Sequence, residues 1–519
     1  MTSEGLRNGV AIETAGIPVW SVGEWRAQVI ERINSGARLV ALFGQAAPRK
    51  TPQDGGQAPD DEVRVLAVLG NDAAGSLATF ATEIADVYPA LTTEVPQAHW
   101  FERELAEQWS LIPVGHPWLK PIRFHQAYRP PTFGSAQDFK DRPVATPTIG
   151  VTDYFQVEGD EVHEVAVGPV HAGVIEPGHF RFQCHGERVM HLEISLGYQH
   201  RGIERTLLGG PHLRTLVQME TVAGDTTIGH ATAYCQALEG LAGVEAPPRA
   251  AALRGVALEL ERLANHTGDL GALAGDVGYL PTASFCGRLR GDFLNLSALI
   301  CGSRFGRGLV KPGGVAFDVD AARAKELLER LAKIEADVRG AVQLLWRTPS
   351  VMGRFEYTGK VPKADSAAIG LVGPAARAAG LEIDVRRDYP TGVYRFSQVP
   401  VATMPYGDVF SRAYVRWLEI ERSIDFVREQ VKALPAGALR KDLGPLAPGK
   451  TIISLTEGWR GEVCHVAQTD EAGRFAAYKI VDPSFHNWFG LAMSLRDQPI
   501  SDFPLCNKSF NLSYCGHDL

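Results

Sequence analysis

The pattern of hydrophobic and polar positions divides the chain into a short mixed N-terminal part and a longer, mainly helical part. In the N-terminal part, helical spacing and short apolar runs predict a helix, two strands and a second helix, at 21–36, 38–43, 63–69 and 100–109. The segment 45–61 is rich in proline, glycine and aspartate, which indicates a loop. The pattern therefore predicts a small α/β domain, which we place at 1–126.

From about residue 150, apolar positions recur with helical periodicity over several long segments, 214–241, 249–273, 321–346 and 409–434. Strand-like runs precede and follow these helices, at 179–183, 188–195, 451–455, 464–468 and 475–480. Antiparallel helices of this length predict a bundle core. We therefore expect an α+β fold, in which a proline-rich linker at 127–149 joins the α/β domain to a mainly helical domain at 150–519 with a β-rich fringe.

Composition and charge narrow the classes of function. The 519 residues include 60 Asp and Glu against 52 Lys and Arg, and this acidic balance argues against nucleic acid as a partner. The sequence has no apolar run long enough to span a bilayer and no secretory signal pattern, so we expect a cytoplasmic protein that reaches a membrane only through other chains. Its seven cysteines lack C-x-x-C spacing, and no glycine-rich nucleotide motif is present. We therefore expect iron-sulfur clusters and any bound dinucleotide to lie in other chains.

Two glycine-rich clusters in the second domain carry candidate functional side chains. The first contains His171 and His179, and its glycines fit either a close approach to a ligand or a hairpin with structural turns. The second contains Glu220, Asp225 and His230 at the start of a predicted helix. Asp225 can act there as an acid or base, or it can cap the helix, and the sequence leaves both interpretations open.

A third cluster lies within the predicted helix at 249–273. Glu261 precedes Asn265 by four residues, and Arg262 precedes His266 by four, so each pair can meet on one helix face. Neighbouring leucines indicate partial burial, and buried charges must be paired. A structural network is therefore as well supported as a catalytic one.

The C-terminus forms a fourth cluster, in which Cys515, His517 and Asp518 lie close together in the sequence. Cysteine and histidine are both good ligands for transition metals. Two ligands are too few for a tight site unless others come from elsewhere in the chain. The cluster therefore fits either a structural role or part of a metal site.

Together, and in this order, these motifs resemble the large subunit of membrane-bound group 4 nickel-iron hydrogenases of the formate hydrogenlyase type, and the homologous 49 kDa subunit of respiratory complex I. The resemblance extends over nearly all of 150–519, and its matching stretches are GPVHAGVIEPGHFRF (168–182), HLEISLGYQHRGIE (191–204), AYCQALEGL (233–241), ELERLANHTGDLGALAGD (259–276), GLVGPAARAAGLEIDVRRDYP (370–390), GDVFSRAYVR (407–416), EGWRGE (457–462) and KIVDPSFHNW (479–488). It implies a helical large-subunit fold.

The N-terminal part resembles the 30 kDa subunit of complex I, with the signature HWFERELAEQWSLIPVGHPWLKPIRF at 99–124. Fusion of the two parts in this order also occurs in the family. The resemblance implies that this domain serves assembly rather than chemistry. We expect the glutamates of its second helix, Glu102, Glu104 and Glu107, to form a solvated or docking face.

The departure from the family lies at the metal site. In the hydrogenases, two C-x-x-C pairs hold nickel and iron, because soft thiolates suit and bridge these metals. Aligned on His230, the first pair falls at Ala223 and Thr226, and the second falls at Leu512 and Cys515. Since one thiolate in four cannot hold the centre, we expect a chain that has lost nickel and iron.

The leading hypothesis is a hydrogenase-like subunit that couples electron transfer from an iron-sulfur partner to a membrane arm. Four residues are then expected to move protons or change charge: Glu220, Asp225, His230 and Asp518. One alternative is a quinone-binding member of the NADH-quinone oxidoreductases, of the fused C/D type. His171 and His179 are both candidates for the quinone contact there, while the family's tyrosine position becomes Gly224. A non-catalytic coupling scaffold is the other alternative.

The resemblance also implies partners. These are a small iron-sulfur subunit like the 20 kDa subunit of complex I, which would carry the clusters, a ferredoxin-like subunit, and ion-translocating membrane subunits. The chain is expected to lie peripherally on the cytoplasmic side of the plasma membrane, without a span of its own. Nucleic acid is not expected as a partner.

Overall fold

The computed structural model of the protein describes residues 4–47, 62–129, 148–173 and 175–519. The N-terminal part contains β1 Ile12–Glu13, β2 Val19–Trp20, α1 Val22–Asn34, β3 Arg38–Ala46, β4 Val63–Asn71, β5 Ser76–Ile84, β6 Val87–Pro89, α2 His99–Trp109 and β7 Ile112–Val114. The predicted helices and strands of this part are confirmed. The predicted loop at 45–61 and the predicted linker at 127–149 lie largely outside the described residues.

The second part begins with β8 Val162–Val167, β9 His179–His185, β10 Arg188–Ser195, α3 Ile203–Leu207, α4 Thr215–Met219, α5 Thr227–Ala242, α6 Pro248–Asp276, α7 Leu280–Cys301, β11 Val310–Lys311, β12 Gly314–Val315 and α8 Ala321–Trp346. It continues with α9 Pro349–Phe355, α10 Lys363–Ala368, α11 Gly373–Ala378, α12 Val385–Asp388, α13 Val409–Lys432, β13 Lys450–Gly458, β14 Gly461–Thr469, β15 Phe475–Val481, α14 Pro483–Ser494, α15 Phe503–Phe510 and α16 Tyr514–Asp518. The predicted α+β fold, with strands on both sides of a helical core, is confirmed.

The N-terminal sheet has the strand order β2-β5-β4-β3, in which β3, β4 and β5 are antiparallel and β2 joins β5 in parallel. The central strand β4 is apolar and buried along nearly its whole length, as expected for a strand covered on both faces. Helices α1 and α2 pack against this sheet.

The helical core is organised around α6, which packs against α7 and α13. This helix is buried on all sides, because small and apolar residues cover most of its surface. The sequence pattern did not predict α7, whose glycines Gly287 and Gly291 weaken the helical signal.

One predicted helix, 214–241, is broken in the structure. Its two halves are α4 and α5, and a polar turn at 220–226 separates them. The turn persists because the carbonyl of Asp225 accepts hydrogen bonds from Trp459 Nε1 at 2.8 Å and Asn265 Nδ2 at 3.0 Å. These side-chain donors hold the carbonyl outside the helical hydrogen-bond pattern. The prediction of helical structure throughout 214–241 is therefore wrong at this turn, whereas the helix start predicted at the second cluster is confirmed.

A C-terminal sheet joins the two parts of the chain. Strands β13, β14 and β15 are antiparallel, and β1 from the N-terminus pairs with β13, with Ile12 opposite Thr451. Asn8 reinforces this crossing, since its side-chain amide donates to the Leu455 carbonyl at 3.0 Å. Among the residues that the structure describes, no helix combines the length and apolar character needed to cross a bilayer.

The glutamates of α2 do not form a solvated face. Glu102 is buried and accepts hydrogen bonds from the backbone N–H groups of Leu91 at 2.7 Å and Thr92 at 2.9 Å. Glu104 is also buried, between Arg123 and Lys479. The expectation of solvent exposure is wrong, because these acids satisfy buried donors within the chain, and Glu104 connects α2 to β15.

Candidate functional site

Two segments that carry the degenerate ligand positions meet in the structure. They are the turn 220–226, before α5, and the C-terminal segment 511–518, and we call their contact the turn junction. Arg201 holds one side of it: Nη2 donates to the Val222 carbonyl at 2.9 Å and to the Cys515 carbonyl at 2.8 Å. The fold therefore preserves the closeness that a shared metal site would require.

Arg460 holds the other side of the turn junction. Its guanidinium forms a two-fold ion pair with Asp225, at 2.6 and 2.8 Å, and its Nε donates to the Asn511 carbonyl at 2.6 Å. Burial alone would lower the pKa of Arg460, but the adjacent Asp225 carboxylate raises it well above the ordinary arginine value. A charged guanidinium thus bridges the two segments.

The four side chains at the family's ligand positions do not fit a nickel-iron centre. Ala223 and Leu512 have no donor atom, and Thr226 offers only a hydroxyl, which lies 3.3 Å from Arg460 Nη1. Burial, and then the nearby Glu176, raise the pKa of the Cys515 thiol to about 12, which keeps it protonated. Within the described ranges, no group of three or more His, Cys, Asp or Glu side chains is arranged to hold a metal ion.

Helix α5 is capped by a residue from α6 rather than by Asp225. The buried carboxylate of Glu261 accepts hydrogen bonds from the N–H groups of Ile228 at 2.7 Å and Gly229 at 3.2 Å. This is a favourable place for an acid, because the first N–H groups of a helix have no partner within it. The alternative in which Asp225 caps the helix is therefore wrong, and its carboxylate is used by Arg460 instead.

Glu261 is expected to make folding stability depend on pH near neutrality. Burial, only partly offset by the two N–H groups, raises its pKa to about 8, so the folded chain keeps a proton there that the unfolded chain releases. This contribution is fully present below the unfolded pKa and is lost as pH rises through the folded pKa, by on the order of 1 kcal/mol per pH unit. Urea unfolding at about pH 6 and about pH 8 should show a smaller pH dependence for Glu261→Gln than for the wild type.

The exposed Glu356 provides the control for this measurement. Glu356→Gln should leave the wild-type pH dependence unchanged, because the Glu356 side chain is exposed and folding changes its surroundings little. Equal pH dependence in the wild type and in Glu261→Gln would contradict the assignment.

His230 lies one turn into α5 and is fully buried. Its Nε2 is 3.0 Å from Oδ2 of Asp482, and its Nδ1 is 3.1 Å from Nε2 of His465. His465 in turn contacts the hydroxyl of Tyr478 at 2.9 Å through Nδ1. His230 stood out in the sequence, but Asp482, His465 and Tyr478 did not, since their contacts follow from the packing of α5 on the C-terminal sheet.

Two other predicted site residues, Glu220 and Asp518, hold backbone in place. Oε1 of Glu220 accepts from the N–H of Gly308 at 2.6 Å. The two carboxylate oxygens of Asp518 accept from the N–H groups of Gly197 at 2.8 Å and Gln199 at 2.9 Å. These contacts give both acids a structural task.

The predicted quinone contacts, His171 and His179, bond within their own loop. His171 Nε2 is 2.9 Å from the Gly178 carbonyl, and His179 Nδ1 is 3.0 Å from the Gly168 carbonyl. The loop reaches the turn junction through Glu176, whose Oε1 accepts from the Cys515 N–H at 3.2 Å. Sequence reasoning missed Glu176, although an acid between Ile175 and Pro177 in this loop was a visible signal.

The third cluster forms a buried ionic network around Glu419 of α13. The carboxylate of Glu419 accepts from Arg262 Nη1 at 3.3 Å, His266 Nε2 at 2.8 Å and Arg377 Nε at 2.9 Å. The prediction that Arg262 and His266 share one helix face is confirmed. The network lies in the helical core, and each of these buried charged groups has a partner of opposite charge. This arrangement fits a structural role.

Comparisons with known proteins agree with this architecture. A family model described as "Respiratory-chain NADH dehydrogenase, 49 Kd subunit" matches residues 276–448. The carbon monoxide-induced hydrogenase of Rhodospirillum rubrum is 32% identical over 350 residues, which are 67% of this chain and 97% of the relative. The chain belongs to the family of the complex I 49 kDa subunit and its hydrogenase relatives.

Two further relatives match larger shares of the chain. Formate hydrogenlyase subunit 5 of Escherichia coli is 28% identical over 437 residues, 82% of this chain and 76% of the relative. The fused C/D chain of the NADH-quinone oxidoreductase of Bdellovibrio bacteriovorus is 26% identical over 410 residues, 75% of this chain and 73% of the relative. The predicted kinship with both hydrogenase and complex I subunits is confirmed, and these relatives are subunits of larger assemblies.

Proposed function

We propose that the chain is the hydrogenase-like subunit of a membrane-associated oxidoreductase complex and that it works without a nickel-iron centre. The Arg460 bridge across the turn junction carries this proposal. Both carboxylate oxygens of Asp225 bind the guanidinium, and the Asn511 carbonyl binds it too. The guanidinium also lies 3.3 Å from the Thr226 hydroxyl, so its buried positive charge adjoins a family ligand position and disfavours a metal cation there, while Ala223 and Leu512 supply no donor atom.

In this proposal, electrons stay on the clusters of a small iron-sulfur partner that docks beside the turn junction. Exposed apolar side chains lie in the segments that precede the turn 220–226 along the chain, and they support such a docking surface: Val170, Ile175, Leu208, Leu213 and Val217. Leu213 and Val217 lie next to or on α4, which leads directly into the turn 220–226, and Leu208 directly follows α3. The Asp225–Arg460 pair and His230 would then respond to charge on the nearest cluster.

The resemblance to the family implies the remaining partners. A ferredoxin-like subunit would supply electrons, and ion-translocating membrane subunits would hold the chain on the cytoplasmic side of the membrane. The N-terminal domain would serve assembly. Quinone reduction is the alternative activity, with His171 or His179 as the contact, and it gains support from relatives whose names include quinone.

The metal content of the purified complex tests the proposal. We expect iron from the partner's clusters and no stoichiometric nickel. Turnover with quinone then separates the two activities, since quinone reduction that is lost in His171→Ala or His179→Ala would favour the alternative. Stoichiometric nickel would contradict both the proposed function and the quinone alternative.

A further inference from the structure

Four buried side chains from four different elements stand in a line behind the turn junction. They are Asp482 at the N-cap of α14, His230 of α5, His465 of β14 and Tyr478 of β15, joined by contacts of 3.0, 3.1 and 2.9 Å. All four side chains are withdrawn from solvent. Because buried polar groups must satisfy one another, each contact constrains the next.

With both imidazoles neutral, only one arrangement of protons satisfies all three contacts. The ionised Asp482 can only accept, so His230 carries its proton on Nε2 and accepts at Nδ1. His465 must then donate from Nε2, and its Nδ1 accepts from the Tyr478 hydroxyl. The donors therefore all point from Tyr478 toward Asp482.

Uptake of one proton reverses two of these hydrogen bonds. If His230 becomes an imidazolium, its Nδ1 donates to Nε2 of His465, which must then carry its own proton on Nδ1. In this change, the proton on His465 Nε2 moves to Nδ1 of His230. A new proton from water binds Nδ1 of His465, and this N–H group donates to the Tyr478 oxygen. His465 stays neutral, and the charge of the His230–Asp482 pair rises by one.

The Asp482 end of this line touches the turn junction. Gly516, next to Cys515, packs directly on the Asp482 carboxylate, since a Cβ at Gly516 would lie 2.6 Å from its carboxyl carbon. The charged and titratable groups that face the line are Arg460 and His486 near Asp482, and Tyr234, Cys235 and Cys464 near Tyr478. Arg460 is the only one of these that is charged at neutral pH.

We propose that Asp482, His230, His465 and Tyr478 form a two-state hydrogen-bond chain that takes up one proton and thereby adjusts the charge behind the turn junction. His465 and Tyr478 act as positioning residues, because they fix which nitrogen of His230 is protonated. The role rests on the proposed function, in which charge on a neighbouring cluster must be balanced. Burial favours neutral His465 and lowers its pKa well below the ordinary value, in agreement with both states.

Nitrogen-15 NMR of histidine side chains in the full-length chain tests this proposal, since ring-nitrogen shifts distinguish protonated from unprotonated nitrogens. In the wild type at high pH, both His230 and His465 should carry their proton on Nε2. As pH falls, His230 should become an imidazolium and His465 should change to the Nδ1 tautomer with the same midpoint. In Tyr478→Phe the midpoint should move up by about one pH unit, because both states lose the hydrogen bond at His465 Nδ1 but the hydroxyl proton has this acceptor only in the unprotonated state, which the hydroxyl therefore favours.

Tyr234→Phe is the matched control, because this neighbouring phenol lies near Tyr478 without bonding to His465. It should keep the wild-type midpoint. The proposal is overturned if His465 becomes an imidazolium, if it keeps its tautomer while His230 titrates, or if Tyr478→Phe and Tyr234→Phe share one midpoint. Should Tyr478→Phe not fold, the wild-type titration alone decides. The metal content of the complex plays no part in this readout, so the proposed function can fail independently.

Discussion

Replacing Glu419 by glutamine is expected to cost about 3–5 kcal/mol in free energy of unfolding. The carboxylate is buried and accepts from Arg262, His266 and Arg377, and it is the acid that joins these three groups. A neutral amide of the same shape keeps the packing but leaves Arg262 with Glu259, and Arg377 with Glu457 and Asp384, as their acidic partners, and it removes the charged acceptor between the two arginines. Denaturant unfolding of the purified chain measures the loss as a lower midpoint.

Glu421→Gln, two residues along the same helix, is the control for Glu419→Gln. Glu421 pairs with Arg339 at 2.7 Å, but 30% of its side chain and 46% of that of Arg339 are exposed. Water replaces such a pair at little cost, so the expected change is within about 0.5 kcal/mol. Similar losses in the two variants would show that the buried network does not depend on its charge.

Replacing Glu104 by glutamine is expected to weaken the attachment of the N-terminal domain by about 3–5 kcal/mol. Glu104 is buried and accepts from Lys479 Nζ at 2.6 and 2.7 Å, and it also pairs with Arg123. Arg123 further donates to the His517 carbonyl at 2.8 Å, so the same cluster ties α2 to β15 and to the C-terminus. Removing the charge leaves Lys479 with Glu204, at 3.1 Å, as its acidic partner and leaves the buried Arg123 with the His517 carbonyl.

The measurement is again denaturant unfolding, with limited proteolysis as a second readout of domain separation. The control is Glu13→Gln, because Glu13 pairs with Lys450 between the same two parts of the chain but is exposed. A change within about 0.5 kcal/mol is expected there. If Glu13→Gln and Glu104→Gln release the domain equally, burial of the ion pair is not what holds it.

The local pattern of apolar and polar residues predicted most helices and strands. It failed where contacts with distant residues determine the backbone conformation. The helix α8, for example, begins and ends where its apolar spacing predicts, at Ala321 and Trp346. The break between α4 and α5 was not predictable in this way, because donors from Asn265 and Trp459 maintain it. Such contacts between distant residues leave no trace in local periodicity.

The candidate site shows the same division. The family motifs indicated Asp225, His230 and the missing ligands, but not the roles that the structure gives to these side chains. Arg460 and Asp482 stand in recognisable motifs, yet their contacts with Asp225 and His230 join residues more than 200 positions apart. Glu261 likewise looked like half of a helical pair, whereas its carboxylate caps a neighbouring helix.

The central claim is the proposal that the chain works without a nickel-iron centre, with the Arg460 bridge beside the family's ligand positions. Elemental mass spectrometry of the purified complex, with nickel and iron counted per copy of this chain, tests it most directly. We predict iron at the level of the partner's clusters and no stoichiometric nickel, with the same values for a Cys515→Ser variant. One nickel per chain that disappears in Cys515→Ser would contradict the claim.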